Sequence, residues 1–94
     1  MSMEKLVSKY IASAEHAIAT MQMAETQPSL EIENVKKIVE SAKAYLKDAK
    51  FYEDELKFEV SLTSVAYCEG LLDALRMLGA LRFEWPARPN AGRG

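Results

Sequence analysis

The sequence lacks cysteine pairs and long apolar segments, which are typical of secreted and membrane proteins. Its 94 residues contain one cysteine, Cys68, so an internal disulfide cannot form. The apolar runs are a few residues long, far short of the roughly 20 that cross a membrane, and the start of the chain shows no apolar signal segment. These absences predict a soluble cytoplasmic protein with no membrane partner.

Positive charge is also scarce relative to negative charge. Twelve Lys and Arg residues stand against fourteen Asp and Glu residues, which gives a formal net charge of -2. A basic stripe that would neutralise a phosphate backbone is therefore not expected, and we predict no nucleic-acid partner. The hydrophobic fraction of 49% is enough for one core without a structural metal.

Motifs that assemble catalytic or metal sites are missing from the sequence. We find no Gly-rich phosphate loop, nucleophile elbow or paired CxxC motif. Glu69 and Asp73 are four residues apart, but metal sites in helical bundles use Glu-x-x-His pairs, and the lone His16 does not form one. We expect His16 to face solvent and Cys68 to lie in the core. The sequence therefore predicts no enzyme, no metal and no cofactor.

Two segments of the sequence carry matched apolar stripes. Each has six residues spaced 3, 4, 3, 4 and 3 apart, which keeps side chains on one face of a helix. The first stripe is Val7, Tyr10, Ala14, Ala17, Met21 and Ala24, and the second is Val35, Ile38, Ala42, Tyr45, Ala49 and Tyr52. Ser2 is a candidate cap for the first helix, and the segment 26–29, with Pro28, is expected to end it.

A third helix is predicted from about Phe58 to Leu81, after a tight turn near residues 53–57. Gly79 lies near its expected end, and no segment alternates enough to predict a strand. Helices joined by short links usually pack antiparallel. The prediction is an all-α, up-down-up, left-handed three-helix bundle over residues 1–82. An extended segment and a flexible tail are expected over residues 83–94.

The third helix is apolar on more than one side. Its predicted core face is formed by Phe58, Leu62, Val65, Cys68, Leu72 and Leu75. The opposite side carries small or apolar residues, and we predict that it is an interface formed by Ala66, Tyr67, Gly70, Ala74 and Met77. A second copy or a partner helical protein would cover it. The alternative is that the helix is rotated, so that the small residues face the bundle.

A charged strip also follows the third helix. Glu69, Asp73 and Arg76 are spaced i, i+4 and i+7, and Arg76 is close enough in sequence to pair with Asp73. A structural network is the simpler interpretation, with Tyr45 or Tyr52 donating a hydroxyl to Glu69. The second interpretation is a small-ligand or nucleotide-associated pocket between helices 2 and 3 that uses all five residues. Phe83 and Trp85 are expected either to cover the end of the bundle or to contact a following domain.

The segment 45–79 resembles the archaeal domain of unknown function catalogued under number 357. The resemblance lies in a Tyr-rich helix with an Asp-Ala step, a short turn and a pattern like Tyr-Ala-x-Gly-x-Leu-Asp-Ala. The matching positions here are Tyr45, Asp48, Ala49, Tyr67, Gly70, Leu72, Asp73, Ala74 and Gly79. The chain departs from the pattern at residues 54–57, where relatives often have Lys-Gly-Asp, and at Cys68, where Ala is usual.

This resemblance implies a small cytoplasmic archaeal three-helix bundle of spectrin-repeat-like form, without an established activity. Similar segments in some relatives precede a nucleotidyltransferase-like domain, joined through a sequence like FEWP. Only eight residues follow Pro86 here, so we expect no such catalytic domain. The resemblance then implies an accessory or interaction module, which agrees with the missing catalytic motifs.

Overall fold

The computed structural model describes residues 2–24 and 30–86, and they form an all-α three-helix bundle, as predicted. Short contacts between helices show that neighbours run antiparallel. Ser8 and Glu53 are in contact, as are Glu15 and Lys50, and Ser61 contacts Ala49. The elements are α1 (Met3–Thr20), β1 (Gln22–Met23), α2 (Ile32–Asp54), α3 (Phe58–Met77) and β2 (Leu81–Arg82).

Helix α1 begins as predicted but ends earlier. The Lys5 backbone N–H donates to Ser2 Oγ at 3.1 Å, which confirms the cap. The extension of the helical stripe to Met21 and Ala24 is wrong, because the backbone becomes extended at Met21. At Met21, pairing with a distant strand overrides the helical periodicity of the sequence. The predicted break at residues 26–29 lies outside the described residues.

The turn between α2 and α3 is confirmed within residues 53–57. Helix α2 ends at Asp54, and α3 begins at Phe58. The Lys57 backbone N–H donates to the Tyr52 carbonyl at 2.9 Å and closes the turn. Leu56 adopts a φ of 62°, in the left-handed region that side chains other than Gly seldom occupy.

Helix α3 ends at Met77, so its predicted extension to Leu81 is wrong. Gly79 has a φ of 81°, and its N–H donates to the Arg76 carbonyl while the Ala80 N–H donates to that of Leu75. This pair of bonds is a Schellman motif, which turns the chain out of the helix. The chain can then run back toward the end of α1.

A two-strand ladder follows that turn, so the expectation of no strands is also wrong. Strands β1 and β2 pair antiparallel, with Gln22 opposite Arg82 and Met23 opposite Leu81. The Ala24 N–H extends the contact by donating to the Ala80 carbonyl at 3.0 Å. The ladder joins the ends of α1 and α3, which are distant in sequence.

The core lies between the three helices and is closed by residues of the C-terminal segment. Its buried apolar members are Val7, Ile11, Ala14, Ala17, Val35, Val39, Ala42, Leu46, Ala49, Val65, Cys68, Leu72, Leu75, Ala80, Leu81 and Phe83. The core positions predicted for α3 are buried or packed against this cluster. None of the helices in the described ranges has the length and apolar character needed to cross a membrane.

Candidate functional site: the exposed face of α3

Arg76 is the centre of the charged strip on α3. Its Nε–H donates to the Phe83 carbonyl at 2.9 Å, and its guanidinium lies over the Phe83 ring at 5.8 Å. Nη2 is 3.4 Å from Glu84 Oε1, and Nη1 is 4.0 Å from Asp73 Oδ1. The predicted pairing of Arg76 with Asp73 is confirmed. Arg76 also contacts Phe83 and Glu84, which were not predicted to lie near it.

Asp73 contacts the same segment from the next turn of the helix. Trp85 Nε1–H donates to Asp73 Oδ1 at 3.0 Å. The Phe83 and Trp85 rings meet edge to face, with 4.8 Å between their centroids, and Phe83 is buried. We call these residues, Asp73, Arg76, Phe83 and Trp85, the C-terminal clamp. Of the two interpretations of Phe83 and Trp85, the structure shows the one in which they cover the bundle.

Tyr45 lies on the other flank of α3 from this strip. Tyr45 stacks on Tyr67, with ring centroids 4.4 Å apart and planes 15° apart. Residues two apart on a helix point about 200° apart, so Tyr67 and Glu69 face opposite flanks. Tyr52 meets Phe51 edge to face at 5.2 Å. The structure therefore brings Asp73 and Arg76 together but places Tyr45 on the other flank of α3, and the ring contact of Tyr52 is with its own helix.

The predicted interface residues all lie on the solvent side of α3. Ala66, Tyr67, Gly70, Ala74 and Met77 are exposed, and a Cβ atom built on Gly70 meets no atom within 4 Å. The predicted rotation of α3 is therefore confirmed, and the alternative in which the small residues face the bundle is wrong. The interface that we predicted for this side remains a prediction.

From Val60 onward, none of the residues exposed on this side of α3 is charged; Glu59, one residue earlier, is the exposed charged residue at its start. From Val60 to Leu78, the exposed residues are Val60, Thr63, Ala66, Tyr67, Gly70, Ala74, Met77 and Leu78. We call these eight residues the uncharged face. By contrast, α2 exposes nine charged residues: Glu33, Lys36, Lys37, Glu40, Lys43, Lys47, Asp48, Lys50 and Asp54. Met77 is 77% exposed and Leu78 is 57% exposed, so large apolar side chains stand at one end of the uncharged face.

Cys68 and His16 have the positions that the sequence predicts. Cys68 is fully buried, and burial, followed by the negative charge of Glu69, raises the pKa of its thiol to about 11. A thiol with that pKa is mostly protonated near neutral pH and is a poor nucleophile. His16 is exposed. Among residues 2–24 and 30–86, no three His, Cys, Asp or Glu side chains group as metal ligands would.

Sequence reasoning missed two residues that shape the turn between α2 and α3. Ser61 is fully buried, and its hydroxyl donates to the Ala49 carbonyl at 2.6 Å. The helical phase could have found it, because Ser61 shares a face with Val65 and Cys68. No sequence signal marks Leu56, since its left-handed conformation is one that Gly or Asn normally supplies.

Comparison with known proteins gives a family match. The family model described as "Protein of unknown function (DUF357)" matches residues 9–81, which include most of α1 and all of α2 and α3. No curated protein and no solved structure matches the chain.

Proposed function

Because the chain belongs to the DUF357 family of proteins of unknown function, we propose its role from its own surface: a noncatalytic helical interaction module that self-associates through α3. The observation that carries this proposal is the uncharged face, from Val60 to Leu78. An exposed apolar patch of a few hundred Å² is often functional and marks a contact with another molecule. A solvated helix face normally carries Lys and Glu, as α2 does here.

A second copy of the chain is the partner that we propose. Gly70 has open space around it, and its neighbours one turn away are Ala66 and Ala74. Small side chains let two helix backbones approach closely, and a mid-helix Gly costs about 1 kcal/mol relative to Ala. A twofold axis near Gly70 would bury this face in both copies at once, in the isologous manner of homodimers.

The proposal also covers the cellular location of the protein and the kind of organism it comes from. We propose a cytoplasmic location, supported by the single buried Cys68, which suits a reducing compartment. An archaeal origin and an accessory role are supported by the sequence resemblance. A ligand pocket formed by the tyrosines and the charged strip gains no support, because Tyr45 stacks on the flank opposite Glu69.

The test is the oligomeric state of the wild type and of Gly70→Leu. We expect a wild-type dimer by light scattering at high micromolar concentration, and a monomer for Gly70→Leu. Since nothing within 4 Å blocks a side chain at Gly70, the variant should keep its helix content by circular dichroism. Ala12→Leu is the matched control, because Ala12 is exposed near the middle of α1; it should remain dimeric.

Two outcomes would contradict the proposal. A wild type that stays monomeric at high micromolar concentration has no self-association to explain. A dimer that survives Gly70→Leu uses another surface. If the wild type is monomeric but binds a helical protein, and Gly70→Leu abolishes that binding, the uncharged face is an interface for a different partner.

A further inference from the structure

An apolar hollow lies where α3 begins. It has a volume of about 430 Å³ and is lined by Met3, Leu56, Lys57, Phe58, Glu59 and Val60. Four of the six lining side chains are apolar, and Lys57 and Glu59 are exposed. We call it the N-terminal hollow. It is continuous with the uncharged face, because Val60 belongs to both.

Leu56 is the unusual residue of this hollow. Its φ of 62° is a conformation that costs an ordinary side chain roughly 1–2 kcal/mol. The side chain is also 71% exposed, so burial within this chain recovers little of that cost. A strained residue that presents an apolar side chain to solvent is a reason to look for a contact outside the chain.

The opposite end of the uncharged face carries exposed apolar side chains. Met77 and Leu78 are large, apolar and mostly exposed where α3 ends. Between the two ends, the centre of the face is smooth, with Gly70 flanked by Ala66 and Ala74. One end of α3 thus offers a hollow and the other end offers two side chains that could fill one.

We infer that the N-terminal hollow of each protomer receives Met77 and Leu78 of a second copy, with the two α3 helices packed antiparallel. The inference rests on the proposed self-association and specifies its register. Val60 and Met77 are equally far in sequence from the point between Cys68 and Glu69, close to Gly70. A twofold axis there brings both ends together twice, as an isologous dimer requires.

The area of the interface supports a register in which both ends of α3 make contacts. The stretch from Val60 to Leu78 is about 27 Å long and about 10 Å wide, so it offers only about 300 Å² per protomer. Stable interfaces bury about 800 Å² per partner. Each protomer contributes one hollow and one protruding pair, so this register adds contact area at both ends of the helix.

The helix dipoles agree with the antiparallel direction, because the positive end of each lies beside the negative end of the other. Lys57 and Glu59 are both exposed at the start of α3, so the side-chain charges there have both signs and favour neither direction.

The first test is Leu56→Gly. Glycine adopts a positive φ without strain, so the monomer should be as stable as the wild type or more stable. The dimer loses a buried leucine at each of its two hollows, and each loss is worth about tenfold, so its dissociation constant should rise about 100-fold. Glu55→Gly is the matched control, because it changes the same turn at an exposed residue of φ -83°; it should leave dimer affinity unchanged.

The second test is directional cross-linking with a short thiol-specific reagent. A mixture of Leu56→Cys and Leu78→Cys proteins should cross-link, whereas Leu56→Cys alone should not, because antiparallel packing puts the two copies of residue 56 at opposite ends. Native Cys68 is fully buried and should not react. Cross-linking of Leu56→Cys with itself would show parallel packing and overturn the inference.

The two proposals fail in different ways. If Gly70→Leu breaks the dimer but Leu56→Gly does not weaken it, the self-association stands and the hollow has no part in it. A wild type that is monomeric at all concentrations overturns both. Weakening of the dimer by both variants, together with cross-linking only in the mixture, supports both.

Discussion

The Arg76→Ala variant tests whether Arg76 fastens the C-terminal segment to α3. Arg76 donates a charge-assisted bond from Nε to the Phe83 carbonyl at 2.9 Å. Bonds of this kind contribute about 1.5–3 kcal/mol. The side chain is 35% exposed, so its ion pairs with Asp73 and Glu84 add no more than about 1 kcal/mol.

We therefore expect Arg76→Ala to lower the free energy of unfolding by about 2 kcal/mol. For a domain of this size, that loss corresponds to a melting temperature lower by about 8–16 °C. Thermal unfolding followed by circular dichroism measures it. Trp85 is the only tryptophan and is partly buried against the core, so its fluorescence reports on the C-terminal clamp itself. Its emission should move to longer wavelength in the folded variant.

Two further variants separate the directed bond from charge alone. Arg76→Lys keeps the positive charge but has no Nε–H in the same position, so it should lose nearly as much stability as Arg76→Ala. Arg82→Ala removes an exposed cation from β2 and should change little. If Arg76→Lys retains wild-type stability and Trp85 emission, or if Arg76→Ala unfolds at the wild-type temperature, the role assigned to the Phe83 bond is wrong.

Two more predictions concern the buried polar groups of α3. Ser61→Ala should lower the free energy of unfolding in urea by about 1 kcal/mol, because it removes the hydroxyl that donates to the Ala49 carbonyl. Ser41→Ala, at an exposed serine, is the control. An equal effect of both substitutions would refute this role. Cys68 in the folded protein should be alkylated at pH 8 at least about 100-fold more slowly than in the unfolded chain, because its thiol pKa is raised from 9.0 to about 11 and its side chain is fully buried. The folded state holds the thiol proton more tightly than the unfolded state does. The free energy of unfolding should therefore fall as pH rises from about 9 to 11, and Cys68→Ala should abolish this fall.

The sequence predicts features that depend on neighbours in the chain. The apolar stripes of α1 and α2, the cap at Ser2 and the turn within residues 53–57 all follow from spacing or local hydrogen bonding. The rotation of α3 could also be predicted, because Val65, Leu72 and Leu75 are larger and more apolar than Ala66, Gly70 and Ala74 on the far side.

The errors lie where distant segments meet. Met21 follows the helical period of α1 but leaves the helix because β1 pairs with β2, about 60 residues away. Leu81 likewise belongs to a strand and not to α3. The contact of Trp85 with Asp73 spans a reversal of the chain at Gly79, and helical periodicity carries no information about the path of the chain beyond such a turn.

The short turn between α2 and α3 also has a consequence for the order of folding. Closing a loop of few residues costs little chain entropy, so the α2–α3 hairpin is the pair that can form from local contacts. Helix α1 must instead be brought to α3 across the whole of α2, and the β1–β2 ladder fixes it there. We therefore expect the hairpin to form early in folding, and α1 to dock last and detach first, exposing Val7 and Ile11 when it does.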